Sequence, residues 1–212
     1  MFAALRAICA LWLFQESNLW SEKWVNEATG RGQKLRNELR VATAEVHDRL
    51  DRAVGRWPLG SQADYSAFLS AQYRARSAAE KAFQLQNPAD LPVPPGQSSL
   101  LAADLNDLGT AVPPAGGSVA FADSFEALGG AWVVAGSSLG NRSMLAARRK
   151  AACPGPDRFL SDQTMAHYFG DVLKVMERDH PAWATQAAIR GALACFDAFE
   201  AAFALKAVEH AA

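Results

Sequence analysis

Three cysteines in 212 residues are too few, and too odd a number, for a disulfide framework. Cys9, Cys153 and Cys195 form no CxxC pair, which excludes a zinc knuckle and makes a reducing cytoplasm the compartment that suits the chain. An excess of one charge is also missing. The 21 Lys and Arg against 22 Asp and Glu leave a formal charge of -1, so the basic stripe that nucleic acid requires is absent and nucleic acid is not an expected partner. Nor is there a run of the ~20 apolar residues that a membrane span needs. The nearest candidate, MFAALRAICALWLF, is short and carries an arginine. No small-x-small cleavage site follows it, which argues against an export signal. Residues 1–33 differ in composition from the Ala-rich remainder and read as a leader or extension, compatible with translation from a misplaced start codon; residues 34–212 read as one domain.

What is present is a helical rhythm. From Leu35 onward apolar residues recur at three- and four-residue spacings without sustained alternation, which predicts an all-α fold. The pattern predicts helices over Gln33–Ala53, from Ser61 or Asp64 to Gln86, and over Ser98–Leu108, Asp123–Lys150, Arg158–Arg178 and Pro181–Lys206. NPADLPVPPGQ, with its four prolines, and GTAVPPAGGS must be loops, and CPGP ends the fourth helix.

On the first helix the arc Leu39, Ala42, Thr43, Val46, His47, Leu50, Val54 follows the template of a buried face, while Arg36, Glu45, Asp48, Arg49 and Arg52 lie opposite. His47 is therefore either a core histidine bonded to a neighbouring helix or a neutral imidazole able to hold a metal through one nitrogen. Arg40 lies two turns earlier on nearly the same face, where it is either an ordinary surface arginine or a partner for a carboxylate on a planar group standing on His47.

Four glycines, Gly129, Gly130, Gly136 and Gly140, interrupt the fourth predicted helix. Each costs about 1 kcal/mol relative to alanine in a helix interior, so the cluster needs a compensating reason. Either another helix packs tightly there or a flat cofactor lies against bare backbone. A GxGxxG nucleotide turn is excluded, since the spacing is wrong and no strand precedes it.

LRVATAEVHDRLD, followed roughly ninety residues later by WVVAGSSLGNR, resembles the bacterial haem oxygenases over about Leu35 to Phe203, and GSSLG is most similar to the forms associated with bacteriophytochromes. The resemblance implies a helical domain that sandwiches haem between a proximal helix and a kinked, glycine-rich distal helix. His47 would then be the proximal iron ligand, with Thr43 on the same face beside the cofactor and Arg40 near a propionate. Gly136 and Gly140 would lay distal backbone over the iron. The implied reaction is oxidative opening of haem, at once substrate and cofactor, to biliverdin with release of CO and ferrous iron. It consumes O2 and external electrons, so a ferredoxin or flavodoxin type donor and a bacteriophytochrome receiving the bilin are the implied partners.

The chain departs from that family at one position. Many members carry an Asp after the first distal glycine, where this sequence has Ser137 and then Ser138. A hydroxyl can hold a water but supplies no fixed negative charge, so proton delivery would run through water, Asn141 or Arg142. Lys174 is a candidate for a second propionate, against the simpler reading of Lys174 and Arg178 as a solvated face. Phe196, Phe199 and Phe203 read as core rather than cofactor lining, and His167, His180 and His210 have no metal-ligand spacing. Two other functions remain open: a carrier or sensor that holds haem without degrading it, and a helical protein with no haem.

Overall fold

The computed structural model describes residues 32–54 and 59–209, and every regular element in them is helical, as the periodicity predicts. In chain order the elements are α1 (Gly32–Val54), α2 (Gln62–Leu85), α3 (Ser98–Asp107), α4 (Ser124–Ser137), a 3-10 turn (Ser138–Gly140), α5 (Asn141–Lys150), α6 (Arg158–Ser161), α7 (Thr164–Met176) and α8 (Ala182–Glu209). Residues 1–31 of the expected leader, Cys9 among them, and His210 lie outside the described residues. No helix among the described residues is long and apolar enough to cross a membrane.

Local chemistry sets most boundaries. Ser61 caps α2 by accepting the Asp64 amide at 3.0 Å. Asp123 caps α4 through the amides of Phe125 and Glu126 at 2.8 and 2.9 Å. The start of α3 is capped from another helix: Glu80 of α2 accepts the amides of Gln97 and Ser98 at 2.6 and 2.9 Å.

Two predicted helices are broken. The expected Asp123–Lys150 helix tightens into the 3-10 turn at Ser138–Gly140, and the expected Arg158–Arg178 helix stops at Asp162. Asp162 is extended (φ -63, ψ 131), and its carboxylate accepts the Thr164 amide at 3.1 Å and the Gln97 side-chain amide at 2.8 Å. An aspartate that caps the following turn competes with its own place in a continuous helix.

The centre of the molecule is α4, buried from Glu126 to Gly136. It crosses α8 with backbone against backbone. A Cβ on Gly129 would lie 1.8 Å from the Ala188 carbonyl oxygen, and one on Gly191 would lie 1.8 Å from that of Glu126. Only glycine at both positions permits this approach. The Arg190 Nε–H donates to Glu126 across the crossing at 2.8 Å. Alongside, α1 buries Leu35, Leu39, Thr43 and Val46 and is tied to α8 by the Arg49 guanidinium, which grips Glu200 with two bonds of 2.9 and 3.0 Å.

Candidate functional site

Beyond their crossing, α4 and α8 leave a cleft that α1, α2 and α5 complete. About 720 Å³ of it is free of atoms, part of this open to solvent. One wall carries His47, Leu50, Asp51 and Val54 of α1, and another carries Val133, Gly136, Ser137 and Gly140. Phe196, Phe199 and Phe203 of α8 close one side, with Phe68, Gln72 and Met144 completing the lining. A mostly apolar concavity with a few placed polar groups is the usual form of a small-molecule or cofactor site.

His47 sits at the edge of the buried face of α1, its side chain 12% exposed. Its Nδ1 is 3.5 Å from the Asp51 carboxylate one turn on, and its ring meets Phe196 edge-on at 5.9 Å between centroids. The contact is longer than a normal hydrogen bond, so it gives Nδ1 a negative neighbour on the same helix without clamping the ring. Among the described residues no group of three or more His, Cys, Asp and Glu could hold a bare metal ion.

The polar part of the opposite wall is organised by a residue that the sequence reading did not single out. Arg76 of α2 is 1% exposed, and burial pushes its guanidinium down to about 10, with Glu80 and Asp162 opposing the shift. It therefore stays charged at neutral pH. Its Nε–H donates to Gln72 Oε1 at 2.9 Å, Nη1 to Gln97 Oε1, and Nη2 to Ser137 Oγ at 2.8 Å. The planes of Phe159 and Phe199 flank it, 4.9 and 5.8 Å from Cζ to the ring centroids. Ser137 in turn donates its hydroxyl to the Val134 carbonyl at 2.8 Å, and Arg76 Nη1 reaches that same oxygen at 3.5 Å. Side chains thus occupy a carbonyl that the next helical turn would use, at the place where α4 gives way to the 3-10 turn.

The structure brings His47, Gly136, Ser137 and Gly140 to one cleft and leaves the other predicted residues outside its lining. Thr43 is 1% exposed and donates its hydroxyl to Leu39 O at 2.8 Å, so it serves its own helix. Lys174 is exposed on α7 and paired with Asp171 at 2.8 Å. Arg40 is half-buried on α1, but the cleft runs from His47 toward Leu50, Asp51 and Val54, in the opposite direction. Arg40 instead acts on Arg36, whose guanidinium is lowered first by burial and then by this neighbouring charge. Of the two groups considered for proton delivery, Asn141 is buried with its amide on Phe159 O at 3.2 Å, and Arg142 is exposed.

The phenylalanines require the reverse correction. Phe196, Phe199 and Phe203 are buried as core residues and line the cleft as well. The glycines divide between the two readings. Gly129 packs against α8, and Gly130 packs against Phe121 and Cys195, whereas Gly136 and Gly140 face the cleft. The signal that could have found Arg76 is its place four residues after Gln72 in FLSAQYRARSAAEKAF, a spacing that sets the two side chains one above the other on the same helix face. No protein-family model matches the sequence, and no curated protein matches it either.

Proposed function

We propose that the chain is a haem oxygenase, with His47 as the proximal iron ligand and Gly136 and Gly140 on the distal wall. The observation that carries this reading is the convergence, in one apolar cleft, of a histidine on α1 and two glycines of a broken helix. The lining of the cleft supports the haem reading by its chemistry. The three phenylalanines offer flat apolar surface to a porphyrin, the Asp51 carboxylate lies 3.5 Å from the imidazole, and the glycines leave the facing wall without side chains. Bound haem would supply the iron that takes up O2 and the ring that is opened to biliverdin, with CO and ferrous iron released. The protein's part is to hold and orient the ring, exclude bulk water with the phenylalanines, and keep Ser137 fixed through Arg76. Electrons would come from a ferredoxin or flavodoxin type donor, and a bacteriophytochrome is the proposed receiver of the bilin.

The second reading, haem held without degradation, is favoured by one feature: the carboxylate lining the cleft is Asp51, beside His47, and the distal wall presents Ser137 in its place. An absorbance experiment decides between them. Ferric haem added to the purified chain should give a Soret band that His47→Ala removes. Reductant in air should then bleach that band while a broad red bilin absorption grows. A band that persists under these conditions supports the carrier, and no band at all ends both readings.

A further inference from the structure

Resting on the haem reading, we infer that Gln72 and Arg76 of α2, not a residue of the distal helix, select a small anion as the ligand bound opposite His47. The argument starts from the orientation of one amide. Gln72 Oε1 accepts the Arg76 Nε–H at 2.9 Å. A guanidinium has only donors, so the oxygen must face it and the amide cannot be turned round. The group left for the cleft, which Gln72 lines, is the NH2.

Ser137 offers the opposite polarity. Its hydroxyl proton is on Val134 O, and it accepts Arg76 Nη2, each at 2.8 Å. What remains is a single lone pair, which repels an acceptor atom. The wall thus presents one amide donor with a buried positive charge behind it, held in place by Gln97 and the Phe159 ring. That arrangement suits a ligand carrying negative charge on the atom remote from iron. Gln72 is the group that touches the ligand; Arg76 is a positioning residue.

The test uses the full chain loaded with ferric haem and azide as the probe, with dissociation constants read from the Soret shift. Gln72→Glu is the informative variant. It keeps an acceptor for Arg76 Nε and replaces the NH2 with an acceptor, so the fold is preserved. Azide affinity should fall by about tenfold or more, because the variant removes the donor and sets a carboxylate against the Arg76 charge that backs it. Imidazole, whose remote end is a donor, should not lose affinity. Arg76→Met should weaken azide in the same direction, and if it does not fold, Gln72→Glu decides alone. An unchanged azide constant in Gln72→Glu overturns the inference and leaves the haem reading standing. Absence of a His47-dependent Soret band in the unmodified chain overturns both.

Discussion

A side chain's neighbours decide its role here more than its type does. Thr43 and Ser137 are both hydroxyls one helical turn or less from the carbonyl they bond, yet only Ser137 is drawn to the cleft, because Arg76 reaches it. His47 was legible from the apolar arc of α1, since a three-and-four spacing places it at the edge of a buried face. The same spacing predicts the phenylalanines of α8 as core and cannot tell a side chain facing a neighbour from one facing a void. The carboxylate beside His47 yields a direct expectation. Asp51→Ala leaves the imidazole of His47 without the carboxylate 3.5 Å away. If Asp51 closes to a hydrogen bond when the ring is loaded, haem affinity should drop by roughly 10-fold, as a Soret titration would show.

Among the elements, the starts were easier to read than the breaks. Ser61 and Asp123 announce α2 and α4 by their type and position, whereas the interruptions at Ser138–Gly140 and Asp162 depend on Arg76 and Gln97, which come from distant parts of the chain. Gly140 marks the far end of the first break and lines the cleft. Gly140→Leu should retain some haem affinity but block turnover by filling the space above the ring, measured as a Soret band that persists under reductant and air. Asp162 at the second break gives a pH dependence. Burial pushes its carboxyl up, but bonds from Gln97 and Thr164 outweigh this and leave it below its ordinary value of 3.8. With the folded value depressed, the stabilisation is fully present above that ordinary value and is lost as pH falls through the lower, folded one. Asp162→Asn should therefore lower Tm at neutral pH and flatten the loss of Tm in strong acid, as followed by circular dichroism.

For the molecule as a whole, the class was written in the periodicity of the chain, but the cleft was not. It exists because α1, α2, α4, α5 and α8 meet around a volume that none of them defines alone. The closest of these meetings, Gly129 and Gly191 at the crossing of α4 and α8, gives the clearest stability expectation. Gly191→Ala would force a methyl to within 1.8 Å of the Glu126 carbonyl oxygen, a backbone atom with no room to yield. The loss should reach about 3 kcal/mol, the upper end for overpacking, measurable by urea unfolding.

The same crossing acts as a fulcrum. Two rods locked at one point and apart beyond it can widen their gap only by bending past the lock, and the weak point past it is the 3-10 turn at Ser138–Gly140. Accommodation of a ligand should then be a swing of α5 rather than a parting of α4 from α8. Hydrogen–deuterium exchange should report it as amides of residues 129–136 that exchange slowly whether or not the cleft is filled, and amides of residues 138–150 whose exchange slows when it is.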